Sequence, residues 1–316
     1  MAKVLVTGGT GFVGSELVRQ LLERGDEVSV LTRSAEPVGP DGVTWIRADL
    51  SDAGSLWSAL AGRRFDCIYH VASLPGDTDD PEEMVRVNIG GVTHLLEFAR
   101  SSGVARFVLT SSISAYGWFP ATKFDPPLEM PVTEEHVCRP KDMYCATKRA
   151  QEILATTFHH EYGVPTVALR VTAVMGSRGA GGGRMWREFA EQLVGGGWIQ
   201  LPQMSEDDLS HFVDVRDVAA MHIAAGTREG AVGEAFNCCG PGPTRGHEFA
   251  EIVTGIAPGI EVKYGFPWSM SQGGELAFDM SKAKKLIGFE PQYSVADSVG
   301  CIKEWADAGG LVEVGS

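Results

Sequence analysis

The sequence lacks the features of membrane and nucleic-acid-binding proteins. No apolar run reaches the roughly 20 residues that a membrane-spanning helix requires, and the first apolar run, residues 4–6, is too short for a signal peptide. Positive charge is also scarce, since 27 Lys and Arg residues against 41 Asp and Glu residues give a net charge of −14. This balance argues against nucleic acid or an anionic membrane as a partner. We therefore expect a cytoplasmic protein.

The sequence also lacks a metal-binding pattern. Its six Cys residues are scattered rather than paired at metal-ligand spacing, and the neighbouring Cys238 and Cys239 are poorly placed for a structural disulfide. The tight histidine pair, His159 and His160, has no group of carboxylates around it. We predict reduced thiols and no metal site.

The chain begins with the pattern of a strand, a glycine-rich turn and a helix. Glycines at Gly8, Gly11 and Gly14 separate the strand-like residues 3–7 from the amphipathic residues 15–22. The three glycines permit a tight turn, a close approach to a diphosphate and close packing of the helix on the strand. The helix N-terminus would favour this anion. A glycine triplet alone can be only a turn, but with this strand and helix around it the motif predicts a dinucleotide site.

Strand and helix patterns alternate along most of the chain. Strands are predicted at residues 27–31, 44–47, 65–71, 105–110 and 166–170, and helices at residues 81–101, 142–162, 185–194, 215–225, 244–255 and 281–287. The alternation predicts an α/β fold, a Rossmann-type doubly wound parallel sheet with helices on both faces. We predict that residues 1–176 and about 211–240 form the dinucleotide-binding domain. Residues 177–210 and 241–316 would mainly form a smaller substrate-binding lobe.

A tyrosine and a lysine share one face of the predicted helix 142–162. Tyr144 and Lys148 are four residues apart, so their side chains are neighbours. A lysine ammonium beside a phenol favours the phenolate and would lower the pKa of the tyrosine. Such a tyrosine can exchange a proton with a substrate oxygen while hydride moves at the carbon. A surface helix with a chance Tyr–Lys pair is the alternative.

Hydroxyl side chains gather at the end of the predicted strand 105–110, at Ser111, Ser112 and Ser114. Ligands of open α/β sheets bind outside the carboxyl ends of the strands. A serine at this place can hydrogen-bond the same substrate oxygen that Tyr144 contacts.

From residue 4 to about residue 305, the chain resembles the extended short-chain dehydrogenase/reductases, also called the NAD-dependent epimerase/dehydratase family. In pattern it is closest to the branch of dihydroflavonol reductases and hydroxysteroid dehydrogenases. The matching motifs are the glycine motif at 7–14, the block at 70–73, Ser-Ser-x-x-x-Tyr-Gly at 111–117, Tyr-x-x-x-Lys at 144–148 and the blocks at 212–219 and 279–288. The resemblance implies an enzyme with Ser112, Tyr144 and Lys148 as its catalytic residues.

The resemblance also implies which residues hold a nicotinamide cofactor. They come from the glycine motif, the strand ends and the catalytic helix. The predicted set is Gly8, Thr10, Gly11, Phe12, Val13, Gly14, Arg33, Asp49, Leu50, Val71, Ala72, Ser73, Asn88, Ser111, Tyr144, Lys148, Val171 and Val174.

The end of the second predicted strand indicates which cofactor is bound. A strand end that binds NAD usually carries an acidic residue for the ribose 2′-hydroxyl. Here Arg33 follows the strand, and no acid occurs before Glu36. An arginine can pair with a 2′-phosphate through its fork of donors, so the sequence favours NADP over NAD. A solvated arginine at a strand exit is the alternative.

The phosphate-binding residues of nucleotide-sugar members are largely missing. Ser210 and His211 stand where such members carry an arginine, and residues 269–278 contain none. Ala173 replaces the family's asparagine, and residues 113–114 lack the Asp-Glu pair of sugar dehydratases. Apolar side chains instead predict a pocket for a small, largely uncharged carbonyl compound. The candidate substrate residues are Ser114, Trp118, Phe119, Met175, Trp186 and Trp268.

Three functions are compatible with these residues. We favour an NADP-dependent carbonyl reductase or alcohol dehydrogenase, which transfers hydride between the nicotinamide and a carbonyl or secondary alcohol. A sugar or nucleotide-sugar epimerase, dehydratase or dehydrogenase is the alternative. A non-catalytic NADP-sensing protein is the third, and the intact set of Ser112, Tyr144 and Lys148 speaks against it.

The resemblance further implies a homodimer. Helices 81–101 and 142–162 would pair across a twofold axis as a four-helix bundle, and isologous dimers are the commonest soluble oligomers. An apolar stripe on the first of these helices, part of which must face the sheet, would contribute to the interface. Its residues are Val92, Leu95, Leu96 and Ala99.

Overall fold

The computed structural model of the protein describes residues 1–76, 78–117, 127–177, 184–201, 205–264 and 275–311. The strands within these ranges are β1 (Lys3–Thr7), β2 (Glu27–Thr32), β3 (Thr44–Arg47), β4 (Cys67–His70), β5 (Arg106–Ser112), β6 (Thr166–Val171), β7 (Ala173–Met175), β8 (Trp198–Gln200), β9 (Leu209–Ser210), β10 (Phe212–Asp214), β11 (Ala235–Cys238), β12 (Thr244–Arg245) and β13 (Glu261–Lys263).

Helices alternate with these strands. They are α1 (Phe12–Glu23), α2 (Ala53–Leu60), α3 (Pro81–Met84), α4 (Gly91–Ser102), α5 (Met143–Tyr162), α6 (Arg184–Gly195), α7 (Val215–Thr227), α8 (Gly246–Ile256), α9 (Ser281–Ile287) and α10 (Val295–Trp305).

Seven strands form one parallel sheet in the order β11-β6-β5-β4-β1-β2-β3. Strands such as β1 and β4 are almost wholly apolar and buried, because helices cover both faces of a parallel sheet. The order reverses between β1 and β4, which leaves a crevice at their carboxyl ends, where open α/β sheets bind ligands. The predicted α/β fold is confirmed.

A second apolar cluster lies outside the main sheet. Trp186 and Phe189 of α6 pack with Phe212 of β10 and Phe249 of α8. The two-stranded pairs β10-β7, β12-β9 and β13-β8 belong to this part of the molecule. These elements form a lobe beside the carboxyl ends of the main strands.

The structure differs from the sequence expectations at two elements. The helix predicted at 81–101 is divided, because a π-helical turn at Val85–Gly90 separates α3 from α4. The helix predicted at 244–255 begins at Gly246, since the two residues before it form β12 and pair with β9. Within the range predicted to form mainly the lobe, helix α9 packs Ala283 and Ile287 into the core of the main sheet.

The apolar stripe predicted to face a partner subunit is buried within the chain itself. Its members, Val92, Leu95, Leu96 and Ala99, lie in the core between α4 and the sheet and are at most 1% exposed. The expectation that part of this stripe contributes to a dimer interface is therefore wrong, because the sheet and the neighbouring helices α2 and α5 bury all of it within the chain.

Among the residues that the structure describes, no helix is both long enough and apolar enough to cross a membrane. Within the same ranges, no group of His, Cys, Asp and Glu side chains is arranged to hold a metal ion.

Candidate active site

A cavity of about 690 Å³ opens at the carboxyl ends of β1, β4 and β5. It extends from the glycine turn, past the ends of β2 and β3, to helix α5. Its volume falls within the range typical of pockets for small molecules and cofactors. Every residue of the predicted cofactor set except Asn88 lines this cavity, and so does Ser112. Sequence reasoning did not identify the lining residues Leu31, Thr32, Ser34, Ala48, Leu74, Pro75, Val87, Thr110 and Thr172.

The glycine turn has the geometry of a diphosphate cradle. Gly8 has a φ of +69°, and a Cβ there would lie 2.8 Å from the backbone nitrogen of Ala72. A Cβ on Gly14 would overlap the carbonyl oxygen of Gly8. The N-cap residue Gly11 has no side chain to satisfy the first N–H groups of α1, which therefore remain available to an anion. These residues fit the diphosphate of a dinucleotide.

The far end of the cavity is lined by Arg33, Ser34 and Asp49. Ser51 donates to Asp49 through its hydroxyl at 2.7 Å and through its backbone N–H at 2.8 Å. These hydrogen bonds, together with the charges of Arg33 and Arg86, hold the pKa of Asp49 below its usual value. The exposed Arg33 thus lies beside a fixed carboxylate, in a place where it can reach the ribose of a bound dinucleotide.

The three predicted catalytic side chains lie together at the other end. Ser112 is the last residue of β5, and its hydroxyl lies near the phenol of Tyr144 on α5, where it acts to lower the pKa of that phenol. The ammonium of Lys148 donates to the carbonyl oxygen of Thr110 at 3.0 Å and lies 5.7 Å from the centre of the Tyr144 ring. Helix α5 therefore presents both residues to the end of β5, as the i, i+4 spacing predicts.

Burial has the largest effect on the pKa values of Tyr144 and Lys148. It raises the pKa of Tyr144 to about 12, against the opposing effect of the Ser112 hydrogen bond. It also lowers the pKa of Lys148 to about 8, although the Glu152 carboxylate opposes that shift. The expectation that Lys148 lowers the pKa of Tyr144 does not hold in this structure, because burial disfavours the phenolate and the ammonium is bonded to a backbone carbonyl.

A buried ion pair that was not predicted supports this end of the site. Arg170 of β6 forms two hydrogen bonds with Glu152 of α5, at 3.0 and 2.9 Å. The hydroxyl of Ser111 donates to the same carboxylate at 2.6 Å. The available sequence signal was the position of Glu152, one helical turn beyond Lys148 on the same face. The pair ties α5 to β5 and β6 behind the catalytic residues.

Asn88 lies behind the cavity rather than in its wall. Its side chain is fully buried, accepts from the backbone N–H of Leu74 at 2.7 Å and donates to the hydroxyl of Thr147 at 3.2 Å. Leu74 lines the cavity and Thr147 precedes Lys148, so Asn88 connects the loop after β4 to the catalytic helix. The structure does not bring its side chain to the cofactor cavity.

The predicted substrate residues are dispersed. Ser114 is buried beside Ser112. Met175 lines a separate cavity of about 150 Å³, and Trp186 is buried in the lobe, where its indole N–H donates to the carbonyl of Val174 at 2.6 Å. Neither residue lines the large cavity, because both pack inside the lobe. Trp118, Phe119 and Trp268 lie outside the described residues.

The position expected to hold a phosphate-binding arginine carries a neutral histidine. His211 is buried, which lowers its pKa to about 4. One ring nitrogen lies 2.9 Å from the carbonyl oxygen of Gly240, and the other accepts from the backbone N–H of Phe278 at 3.1 Å. With both nitrogens occupied and no charge, His211 is unsuited to binding a diphosphate.

Comparison with known proteins places this fold and site in a family. The pattern of the "NAD dependent epimerase/dehydratase family" matches residues 4–239. The chain belongs to this family and is an NAD(P)-dependent enzyme of the extended short-chain dehydrogenase/reductase type.

Relatives with different names resemble the chain to a similar degree. A UDP-glucose 4-epimerase of Mycolicibacterium smegmatis is 28% identical over 94% of this chain and 96% of its own length. A 3-beta-hydroxysteroid dehydrogenase of Mycolicibacterium neoaurum is also 28% identical, over 97% of this chain and 92% of its own length. The solved structure of the UDP-glucose 4-epimerase of Thermus thermophilus in complex with NAD is 27% identical, with a TM-score of 0.78 over 96% of this chain and 98% of that one.

Proposed function

We propose that the protein interconverts a secondary alcohol and a carbonyl group on a sugar or nucleotide sugar. The observation that carries the chemistry is that Ser112, Tyr144 and Lys148 line the same end of a dinucleotide-sized cavity. The substrate class rests on the comparisons, in which UDP-glucose 4-epimerases recur among relatives and solved structures. These recurring matches favour the sugar or nucleotide-sugar function over the carbonyl reductase that the sequence alone favoured.

Each catalytic residue has a defined task in this proposal. A nicotinamide cofactor held by the glycine turn and the strand ends would supply the hydride acceptor and donor. Tyr144 removes the proton of the substrate hydroxyl and returns it to the carbonyl oxygen. Ser112 hydrogen-bonds the same oxygen, and the ammonium of Lys148 stabilises negative charge that develops beside it.

A second candidate is an NADP-dependent reductase of small, largely uncharged ketones. The neutral and fully bonded His211 favours it, because a buried diphosphate without a cationic partner binds poorly. Two cationic side chains of the described part of the lobe are engaged as well. Arg245 is paired with Glu275 at 2.8 Å, and the ammonium of Lys263 lies 4.4 Å from the centre of the Trp198 ring.

One experiment separates the two functions. The purified protein is incubated with UDP-glucose, UDP-galactose, free sugars and a panel of ketones, with the cofactor followed by absorbance and the sugars by chromatography. An epimerase interconverts the sugars with no net change in reduced cofactor, whereas a reductase consumes it stoichiometrically. Competition by uridine diphosphate supports the first function and its absence the second. A protein that transfers hydride with none of these compounds would contradict both.

We further propose NADP as the preferred cofactor. The Arg33→Asp variant should lose NADP affinity and prefer NAD, because it removes a charge-assisted pair and adds repulsion toward the 2′-phosphate. The loss is expected to be roughly tenfold or more, equivalent to about 1.4 kcal/mol. Titration calorimetry with both cofactors measures it, and Arg64→Asp, an exposed change elsewhere, is the control. If NADP affinity is the same before and after the Arg33 change, NAD is the better assignment.

We also propose a homodimer that forms through α3, α4 and α5. Apolar side chains remain exposed on these elements and the residues joining them: Met143 and Val85 at 41% each, and Ile153 at 52%. The Ile153→Asp variant should shift the mass from dimer to monomer at micromolar concentration, because a charge would be buried between the subunits. Light scattering measures this, with Val38→Asp as an exposed control. A monomeric wild-type protein would contradict the proposal.

A further inference from the structure

The last three residues of β5 connect two of the predicted catalytic groups. Thr110, Ser111 and Ser112 all line the large cavity. The carbonyl oxygen of Thr110 accepts the ammonium of Lys148 at 3.0 Å, and Ser112 follows two residues later. A displacement of this short segment would therefore move the hydroxyl of Ser112 and remove the acceptor that holds Lys148.

His222 of α7 holds the segment from one face of the sheet. Its side chain is fully buried, and its Nδ1 lies 2.7 Å from the carbonyl oxygen of Val218. Because a carbonyl oxygen can only accept, Nδ1 carries the hydrogen. Nε2 therefore accepts from the hydroxyl of Thr110, at 2.7 Å. Burial lowers the pKa of His222 to about 4, so the ring is neutral and this bond is intact at neutral pH.

Glu152 of α5 holds the segment from the opposite face. Successive side chains of a strand point to opposite faces of the sheet, so Ser111 points away from α7. Its hydroxyl donates to the carboxylate of Glu152 at 2.6 Å. Arg170, the direct partner of Ser111 on β6, donates twice to the same carboxylate, at 3.0 and 2.9 Å. Ser111 is thus bonded to a carboxylate that is itself fixed by the neighbouring strand.

Neither His222 nor Glu152 belongs to the described wall of the cavity. Both are at most 3% exposed, and burying a polar or charged side chain costs free energy unless its hydrogen bonds are satisfied. The bonds that satisfy them are directional and end on two consecutive residues of β5. Together they restrict this segment from both faces of the sheet.

We propose that His222 and Glu152 are positioning residues, which fix residues 110–112 so that the hydroxyl of Ser112 and the ammonium of Lys148 have the geometry needed for hydride transfer. His222 acts through Thr110, and Glu152 acts through Ser111. The inference rests on the proposed function in that Ser112 and Lys148 are taken as catalytic residues.

Two substitutions of His222 separate positioning from support of the fold. In His222→Asn the amide nitrogen replaces Nδ1 and can donate to Val218, but the side chain is too short to reach Thr110. In His222→Gln the amide lies one bond further along and can accept from Thr110. His222→Asn should lower kcat roughly tenfold to a hundredfold, the cost of a small misplacement from outside the reacting groups, with KM changed less than about twofold. His222→Gln should recover most of the loss, and His160→Asn, an exposed change on α5, is the control.

The pKa of Lys148 provides a second readout, which needs no substrate. The charged or titratable groups that act on or lie beside its ammonium are Glu152 and Tyr144 of α5 and His70 of β4. The bond to the Thr110 carbonyl favours the ammonium, so its loss in His222→Asn should lower the pKa of Lys148 below its value of about 8. Glu152→Gln should lower this pKa as well, because it removes the neighbouring negative charge. NMR titration of protein labelled at lysine Cε measures the pKa, with Lys148→Met to assign the signal.

The alkaline side of the kcat profile should move to lower pH in the same two variants, whereas a loss of folded protein alone would reduce kcat without moving the profile. The inference is overturned if His222→Gln is as slow as His222→Asn, or if the pKa of Lys148 in His222→Asn equals that of the wild type. If His222→Asn does not fold, Thr110→Val, which loses the hydroxyl and keeps the shape, is compared with Thr110→Ser by the same measurements. A protein that transfers no hydride but shows the expected pKa changes would retain the positioning contacts and reject the proposed function.

Discussion

Replacing Tyr144 with phenylalanine should lower turnover by about 10²- to 10⁴-fold, the range observed when a general acid or base is removed. The phenol lies with Ser112 and Lys148 at one end of the cavity, where it can exchange a proton with a substrate oxygen. The substitution keeps the ring and its packing against α5, so the fold and cofactor affinity should be retained. Steady-state kinetics and cofactor titration measure the two effects separately.

The same substitution at Tyr162 is the matched control. Tyr162 is the last residue of α5, and its side chain is 48% exposed, far along the helix from the cavity. Tyr162→Phe should leave turnover unchanged within experimental error. If Tyr144→Phe also turned over at the wild-type rate, Tyr144 would not be the acid–base group, and the proposed function would be contradicted.

The parts of the site that the sequence predicted are those encoded by local spacing. Gly8 and Gly14 are fixed by a turn of seven residues, and Tyr144 and Lys148 share a helix face because they are four residues apart. The parallel sheet follows from alternating strand and helix patterns. In each case the residues that define the pattern are close in sequence, so their spacing predicts their arrangement in the structure.

The parts that the sequence did not predict depend on contacts between distant segments. Glu152 and Arg170 are separated by 18 residues and meet because α5 packs on β6. Asn88 was assigned to the cofactor from the resemblance, but the π-helical turn that contains it directs its amide to Leu74 and Thr147. Met175 was placed in the substrate pocket as an apolar residue, and its burial in the lobe could be seen only after folding.

The substrate class depends on parts of the chain outside the three predicted catalytic residues. Relatives of about the same identity are named for two different substrates, UDP-glucose and a 3-beta-hydroxysteroid. Specificity depends on the groups that hold the rest of the substrate. His211, neutral and bonded on both nitrogens, is the described residue at which this chain departs most clearly from a phosphate-binding arrangement.

The Glu152→Ala variant should lose about 3–5 kcal/mol of unfolding free energy, because it leaves the charge of Arg170 buried without its carboxylate partner. Burial alone would raise the pKa of Glu152, but the hydrogen bonds and charge of Arg170 overcome this effect and lower it. The stabilisation is therefore fully present at a pH above the ordinary pKa of glutamate. It is lost as the pH falls through the lowered pKa that Glu152 has in the folded state. Urea unfolding measured at neutral and acidic pH tests both statements.

Two further variants show whether the stability lost in Glu152→Ala comes from the unpaired charge of Arg170 or from the space that the side chain of Glu152 fills. Arg149 contacts the same carboxylate at 2.8 Å from a half-exposed position, so Arg149→Ala should cost less than about 1 kcal/mol. The double variant Glu152→Leu, Arg170→Met fills the space with apolar side chains and should recover most of the loss. If the double variant is as unstable as Glu152→Ala, the cost arises from the hydrogen bond of Ser111 to Glu152, which both variants lose, rather than from an unpaired charge. In that case the network holds the end of β5 in place through its geometry, and Ser112 should become misaligned with Tyr144 in the same variants.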